Sequence, residues 1–262
     1  MNRITDYEEL RKRIVRWLGD YVVEHNIKSF VVGISGGIDS AVVSTLCAET
    51  GLPTYALSMP LNQIHSQAQL SDTHRNFLAQ NYKNVVPLQI DLSSTYYQFL
   101  TATKFWLGED MVSNKLALAN TKSRIRMVTL YQVAGSVGGI VVGTGNKVED
   151  YGVGFYTKYG DGGVDIAPIA DIYKTEVWEL GKHLGVDQRI IDAQPTDGLW
   201  EDGRTDENQI GTSYEMLEWA MEKGFSEDPL FLNQEQTKAI EVLTKFNTQN
   251  KHKMISIPTF KL

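Results

Sequence analysis

The chain has 262 residues, of which 42% are hydrophobic and 22% charged, which is enough apolar material for a sizeable core and excludes a disordered chain. A net charge of −7 argues against nonspecific electrostatic binding of nucleic acid. The chain has a single cysteine, Cys47, so it cannot form an internal disulfide. No apolar run approaches the roughly 18 residues of a membrane span. We therefore expect a cytoplasmic protein, folded as one domain over 1–262, that binds neither membrane nor nucleic acid.

Short β-branched runs alternate with helical hydrophobic patterns through the first half of the chain. Strands are predicted at residues 29–34, 53–59, 85–90 and 139–143. Helices are predicted at 5–25, 40–49, 64–80, about 93–104 and about 114–137. This alternation predicts an α/β fold with a Rossmann-like, doubly wound parallel β-sheet and helices on both faces. Ligands bind such sheets beyond the carboxyl ends of the strands.

The second half of the chain has a different pattern. Residues 144–164 are glycine-rich, aromatic and without periodicity, and unstructured segments of that length are usually functional or disordered. Helices are predicted at 173–184, 214–222 and 235–246, whereas the acidic, polar stretch 195–208 is expected to be mobile.

A glycine-rich turn joins the first predicted strand to the following helix. Its residues are Gly33, Ile34, Ser35, Gly36, Gly37, Ile38, Asp39 and Ser40. Glycines bring backbone N–H groups close to a phosphate, the helix N-terminus adds a positive dipole, and serine hydroxyls donate further hydrogen bonds. Asp39 would repel a bare phosphate, so its natural role is to hold Mg²⁺. The loop is neither a Walker loop nor a dinucleotide loop; the alternative is an ordinary turn capped by Ser35 or Asp39.

The string Ser-Gly-Gly-x-Asp-Ser after a strand resembles the signature of the PP-loop ATP pyrophosphatases. Members of that superfamily cleave ATP between the α- and β-phosphates and form an adenylate and pyrophosphate. The resemblance thus implies the reaction class and a fold of the adenine nucleotide α-hydrolase type, but it leaves the substrate open.

Three further strings narrow the substrate. They are 122–127 (KSRIRM), 143–149 (GTGNKVE) and 154–165 (GFYTKYGDGGVD). The last closely resembles the signature of the NAD synthetases, and Lys174, Pro195–Thr196 and His252–Lys253 match further positions of that family in order. The resemblance runs from about residue 10 to 255 and covers nearly the whole chain.

The family pattern implies a role for each matching position. Residues 33–40 with Thr144, Lys174 and Thr196 would bind ATP, and Asp39 with Glu149 would coordinate Mg²⁺ as the cofactor. The deamido-NAD contacts would be Arg124, Lys158, Asp165, His252 and Lys253. Asp39, Lys174 and Glu149 would carry catalysis. Alone, Arg124, Lys158 and His252–Lys253 are more often ordinary surface charges, whereas Glu149 could equally be an exposed loop acid and Lys174 could simply begin a helix. Their ordered occurrence with the phosphate loop favours the functional interpretation.

The chemistry of these residue types agrees with that assignment. Deamido-NAD carries a pyrophosphate and a free carboxylate, which call for Arg and Lys on an otherwise acidic protein. Attack of the carboxylate on the α-phosphate concentrates negative charge, which Mg²⁺ and Lys174 would neutralise. Ammonia would then displace AMP to give NAD. No residue needs to act as a covalent nucleophile, so the protein's task is positioning.

Glutamine-dependent members of the family carry an added glutaminase domain with its own cysteine. The chain has no length for one, so the resemblance implies the ammonia-dependent form, although a separate amidase partner stays open. It also implies a homodimer with sites at the interface and the helix near 114–137 as a candidate contact. The family often has Gln where Ile38 stands, a basic residue near Ser58 and Gly-Thr-Asp-His at 143–146.

Two alternatives remain from the sequence. One is another PP-loop enzyme, either an adenylating amidotransferase or a tRNA-modifying enzyme; Cys47 is badly placed for thiolation, and the net charge of −7 disfavours tRNA. The other is a nucleotide-binding sensor without catalysis, which would be expected to lack the metal-binding acids that this chain has.

Overall fold

The structure is a computed structural model that describes residues 3–61, 65–108, 113–196, 198 and 204–261. One four-stranded sheet has the order β3-β2-β1-β4, and all neighbouring strands are parallel. The strands are β1 (Ser29–Gly33), β2 (Thr54–Ser58), β3 (Val85–Gln89) and β4 (Gly139–Val141). All four were predicted, and each ends one or two residues earlier than expected.

Helices connect the strands and fill the second half of the chain. They are α1 (Tyr7–Glu24), α2 (Ile38–Glu49), α3 (His65–Asn81), α4 (Ser93–Leu107), α5 (Lys115–Val137), α6 (Lys174–His183), α7 (Gln188–Ile191), α8 (Asp206–Ile210), α9 (Tyr214–Trp219) and α10 (Gln234–Met254). Two π-helices, Val148–Val153 and Ala220–Gly224, and a 3₁₀ turn, Pro229–Phe231, complete the regular elements that the structure describes.

Alternate side chains of the central strand enter different cores. Phe30 and Val32 pack in a cluster with residues of α1, α2 and α6, whereas Val31 packs in a second cluster with residues of α4 and α5. Because a strand buried on both faces needs apolar residues at every position, β1 reads as a continuous apolar run. The predicted doubly wound sheet is confirmed.

The prediction that residues 144–164 lack regular structure is wrong, since the π-helix Val148–Val153 lies inside them. The Asn146 side chain accepts hydrogen bonds from the Val148 and Glu149 N–H groups at its start. Side chains of α10 then donate to the carbonyl groups of 151–153. These partners are distant in sequence, so local periodicity carries no trace of them.

Helix α10 continues to Met254, well past the predicted end at residue 246. Its extra turns are stabilised by Asn247 and Asn250, which bind backbone carbonyls of the π-helix. In the stretch 195–208, which was predicted to be mobile, α8 begins at Asp206 under a Thr205 cap. Residues 197 and 199–203 of that stretch lie outside the described residues.

A buried histidine makes the stability of this fold sensitive to pH. His74 on α3 is fully buried, and its Nε2 lies 3.0 Å from Ser44 Oγ on α2. Burial lowers the pKa of His74 to about 4. The folded protein therefore favours the neutral form of His74 more strongly than the unfolded chain does. The unfolded-state pKa of histidine is about 6.5, so this burial costs nothing above that pH, and the free energy of unfolding decreases as pH falls from about 6.5 toward 4.

We expect the wild type to lose about 2 kcal/mol of unfolding free energy between pH 7 and pH 5 through this residue. His74→Gln removes the titrating group while keeping a polar side chain that can reach Ser44. Urea unfolding at both pH values measures the difference, and an identical pH dependence in the two proteins would refute the assignment.

Candidate active site

The phosphate loop follows β1 directly and is cross-linked by its own serines. Ser35 N–H donates to Ser40 Oγ at 3.2 Å, Ser40 Oγ donates to the Gly37 carbonyl at 3.0 Å, and Gly37 N–H donates to Ser35 Oγ at 3.1 Å. Gly36 has φ +94°, a conformation that side chains with Cβ rarely adopt. Gly37 precedes α2 without a side-chain cap, so the first N–H groups of α2 are open to a phosphate.

A cavity of about 680 Å³ opens beyond the carboxyl ends of β1 and β4, within the usual size range of small-molecule sites. All the predicted ATP contacts line it: Gly33, Ile34, Ser35, Gly36, Gly37, Ile38, Asp39, Ser40, Thr144, Lys174 and Thr196. Glu149 lines it as well. The structure thus brings together residues spread from position 33 to 196, at the point where the strand order reverses around β1.

Three predicted catalytic groups form one ionic cluster in the wall of this cavity. Lys174, which begins α6 and is almost fully buried, donates from Nζ to Asp39 Oδ2 at 2.5 Å and to Glu149 Oε1 at 3.0 Å. Burial would lower the pKa of Lys174, but the two carboxylates outweigh it and raise this pKa well above its ordinary value. Lys174 is therefore a fixed positive charge at any physiological pH.

The two acids respond differently to that charge. Burial, helped by the charge of Glu149, raises the pKa of Asp39 in spite of Lys174. For Glu149, burial acts in the same direction, but Lys174 and neighbouring donors outweigh it and lower the pKa. Two carboxylates facing one ammonium leave a local excess of negative charge, and a further cation would relieve it.

Several residues that the sequence left without a role complete the cluster. Asn146 Nδ2 donates to Asp39 Oδ1 at 3.3 Å, while its Oδ1 holds the start of the π-helix that carries Glu149. Tyr214 OH donates to Glu149 Oε1 at 2.8 Å. Asn146 lies in the string 143–149 that resembles the family pattern, so the sequence contains a signal for its role in the site. Tyr214 lies in an ordinary amphipathic helix, and the sequence contains no such signal for it. Arg126, Asp150 and Asp206 also line the cavity.

The basic residues predicted to bind deamido-NAD lie together but do not line this cavity. Arg124 Nε donates to the Lys158 carbonyl at 3.2 Å, and Lys158 Nζ donates to the His252 carbonyl at 3.1 Å. Lys253 Nζ donates to the carbonyl oxygens of Gly154 and Tyr156 and lies over the Tyr156 ring. The end of α10 is thereby tied to the segment 154–158, and the substrate role of these residues stays a prediction.

Asp165, the fifth residue of that predicted set, has bonds to the scaffold. Its Oδ2 accepts from Val141 N–H at 2.8 Å, and its Oδ1 accepts from Tyr131 OH at 2.9 Å. These bonds join the end of β4 to α5. In this structure the Asp165 carboxylate therefore has a structural role between the sheet and α5.

Two of the four positions that depart from the family pattern, Ile38 and Asn146, have the following structural explanation. Ile38 is buried at the start of α2 and packs toward Gly181 of α6, where it serves the core. Asn146 is fully buried and bonds to three groups of the site. Ser58 is also buried, at the end of β2, and nothing in the structure explains the absence of a basic residue there.

The arrangement fits a magnesium ion bound with a nucleotide. Asp39 and Glu149 both contact the Lys174 ammonium, so the two carboxylates lie close to each other in the wall of the cavity. Mg²⁺ prefers oxygen ligands and is usually held by one or two carboxylates plus substrate phosphates. Among the described residues no group of three or more His, Cys, Asp and Glu side chains forms a metal site.

Comparison with known proteins gives the family. Residues 10–256, nearly the whole chain, match the family described as NAD synthase. The chain belongs to the NAD synthase family. It is 37% identical over 213 residues to the NH(3)-dependent NAD(+) synthetase of Carboxydothermus hydrogenoformans, an alignment that covers 81% of this chain and 84% of the relative.

Two solved structures share both fold and sequence with this NAD synthase family member. The NMN synthetase from Francisella tularensis has a TM-score of 0.86 and 32% identity, covering 99% of this chain and 100% of its own. The NH3-dependent NAD synthetase from Campylobacter jejuni, solved with a nitrate ion, has a TM-score of 0.77 and 25% identity, covering 98% and 100%. Within the described part of the chain, no helix is long and apolar enough to cross a bilayer.

Proposed function

We propose that the chain is an ATP-dependent carbon–nitrogen ligase that converts deamido-NAD and ammonia into NAD, with release of AMP and pyrophosphate. The observation that carries this proposal is the single cavity in which the phosphate loop meets the Lys174–Asp39–Glu149 cluster, in a member of the NAD synthase family. The relative from C. hydrogenoformans is named NH(3)-dependent NAD(+) synthetase, which is the name of this activity.

The reaction has two steps. A carboxylate oxygen of the nicotinate attacks the α-phosphorus of ATP, and the bond to the β-phosphate oxygen breaks to release pyrophosphate. Ammonia then attacks the acyl carbon of the adenylate, AMP leaves, and one proton is lost to solvent. Both steps move negative charge onto phosphate oxygens, so fixed positive groups are what they need.

The residues of the cavity supply that charge and hold the reactants. The N–H groups of the phosphate loop and the hydroxyls of Ser35 and Ser40 bind the departing pyrophosphate. Lys174 presents its permanent charge to the α-phosphate. Mg²⁺, held by Asp39 and Glu149, would neutralise phosphate charge when bound.

We further propose that residues 1–262 form one catalytic domain that uses free ammonia in the cytoplasm. Support comes from the family match, which occupies 10–256, and from Cys47, which is buried in α2. Burial raises the pKa of the Cys47 thiol, so it does not act as the nucleophile that glutamine hydrolysis needs.

A direct assay tests the proposal. Purified protein is incubated with Mg-ATP, deamido-NAD and ammonium, and NAD, AMP and pyrophosphate are quantified. Equal amounts of the three products are expected, and omission of ammonium should stop NAD formation. Release of ADP in place of AMP would show cleavage at the wrong phosphate and overturn the adenylation step.

A second candidate substrate is the mononucleotide of nicotinic acid, which would be amidated to NMN. It is favoured by the whole-chain similarity to the NMN synthetase from F. tularensis. It is also consistent with the position of Lys158 and Lys253 outside the cavity, where their ammonium groups bind backbone carbonyls. Comparison of kcat/KM for the two substrates in the same assay decides between them.

We propose that the protein is a homodimer joined through the outer side of α4 and α5. The inner sides of these helices pack on the sheet, yet their outer sides expose large apolar residues. These are Tyr97, Phe99, Phe105, Trp106, Leu107, Val128 and Tyr131. Large contiguous apolar patches are rare on monomers and mark interaction surfaces.

Val128→Asp on α5 is expected to break the dimer, because the side chain is 69% exposed in the isolated chain and a buried charge opposes association. Light scattering should shift from twice 29.4 kDa to 29.4 kDa. The matched control is Val23→Asp on α1, which is 78% exposed on the other side of the sheet and should stay dimeric. A Val128→Asp protein that stays dimeric would rule out this face.

A further inference from the structure

One buried tyrosine, Tyr214, contacts both Glu149 and Lys174 of the ionic cluster. We propose that Tyr214 is a positioning residue that fixes Glu149 and Lys174 in the geometry that binds the metal–nucleotide complex. This inference rests on the proposed function only in assigning the metal to Asp39 and Glu149.

Tyr214 contacts both members of the pair at once. Its hydroxyl donates to Glu149 Oε1 at 2.8 Å, the same oxygen that accepts from Lys174 Nζ at 3.0 Å. The face of its ring lies 5.1 Å from that Nζ, within the range of a cation–π contact. One side chain therefore limits the rotation of the carboxylate and the movement of the ammonium group.

The tyrosine is itself held rigidly. It is fully buried at the start of α9, its backbone N–H donates to Glu207 Oε1 at 3.0 Å, and its ring packs edge-to-face on Trp178 with centroids 5.9 Å apart. A rotamer locked by packing and hydrogen bonds is what accurate placement of a reacting group requires.

The direction of the hydrogen bond is also defined. Asp206 Oδ2 lies 3.4 Å from the Tyr214 hydroxyl, much farther than Glu149 Oε1 at 2.8 Å, so the proton points to Glu149. The hydroxyl is therefore the donor in this contact, and Glu149 is its acceptor.

The test measures metal binding without turnover. Mn²⁺ is titrated into wild type and Tyr214→Phe in the presence of α,β-methylene-ATP, and free Mn²⁺ is followed by electron paramagnetic resonance. Phe keeps the ring and its packing but removes the donor to a charged acceptor, so Mn²⁺ affinity should fall about 10- to 100-fold. In the active enzyme, kcat should fall while KM for the dinucleotide stays unchanged.

Two controls separate positioning from a general loss of structure. Tyr82→Phe removes a hydroxyl from a tyrosine packed on the first core cluster, just before β3 at the opposite edge of the sheet, and should bind Mn²⁺ like wild type. In a Glu149→Ala background, Tyr214→Phe should change the Mn²⁺ affinity by less than about twofold, because the acceptor of the Tyr214 hydroxyl is already absent.

The outcomes are distinguishable. Wild-type protein that binds no Mn²⁺ with the nucleotide analogue would overturn the metal role of Asp39 and Glu149, and this inference with it. Wild type and Tyr214→Phe with equal Mn²⁺ affinity would overturn the positioning role alone and leave the ligase assignment intact. If Tyr214→Phe lowers the Mn²⁺ affinity by the same factor with and without Glu149, Tyr214 does not act through Glu149, and the positioning role is overturned.

Discussion

Asp39→Asn is expected to lower the rate of NAD formation by about 100- to 1,000-fold, the range seen when one preorganised charge-stabilising group is removed. Asp39 accepts from Lys174 Nζ through Oδ2 and from Asn146 Nδ2 through Oδ1. An Asn amide at this position has one oxygen for two donors, so its NH₂ group must face either an ammonium or another NH₂ group. The substitution also removes one of two carboxylates available to Mg²⁺.

The measurement is initial-rate release of AMP at saturating ATP and deamido-NAD, with circular dichroism to confirm folding. Asp20→Asn, an exposed position on α1, makes the same chemical change away from the site and should retain full activity. If Asp39→Asn turns over within threefold of wild type, the carboxylate of Asp39 has no part in catalysis.

The fold was predictable because its signals are local. A parallel strand buried on both faces needs an unbroken apolar run, and Phe30–Val32 supply one between a polar turn and a glycine. The phosphate loop was equally predictable, since Ser35, Gly37 and Ser40 make their hydrogen bonds to one another. Structure that depends on contacts between neighbouring residues can be predicted from a short stretch of sequence.

The site was only partly predictable. Resemblance to a family assigned Lys174, but its burial between two acids 135 and 25 residues away depends on how α6 and the π-helix pack. Tyr214 was missed because a buried tyrosine in an amphipathic helix looks like any core residue. Only tertiary structure turns its hydroxyl toward Glu149.

The basic residues near the C-terminus show the opposite case, in which the sequence suggests a role in substrate binding but the side chains contact the protein itself. Their residue types suit an anionic substrate, yet a sequence does not state where a long side chain points. Lys253 reaches back to the carbonyl oxygens of Gly154 and Tyr156, where it offsets the partial negative charge at the end of the π-helix. Chemical type is thus a weaker guide than position for Lys and Arg.

Lys174→Met should have a second large effect, on catalysis and on stability together. Met has a similar length and fills the same buried space, but Asp39 and Glu149 then face each other without their shared cation. Removing one member of a buried ion pair costs about 3 kcal/mol or more. Loss of the fixed positive charge at the α-phosphate should also reduce kcat by about 100-fold or more.

The sign of the pH dependence separates this explanation from simple misfolding. Without Lys174, the pKa values of both carboxyl groups in the folded state rise, so the folded protein takes up protons more readily than the unfolded chain. The stability deficit of Lys174→Met relative to wild type should therefore be larger at pH 8 than at pH 5, because protonation removes the repulsion at low pH. Urea unfolding at the two pH values measures it.

Lys147→Met is the matched control for this variant. Lys147 is also buried and pairs with a carboxylate, that of Asp171 at 2.7 Å, but it does not line the cavity. Asp171 is largely exposed, so solvent can stabilise its charge once the lysine is gone. Lys147→Met should keep its kcat and show no deficit that grows with pH. If both variants lose activity equally, the effect of Lys174 arises from the folding of this region and not from its charge at the phosphate.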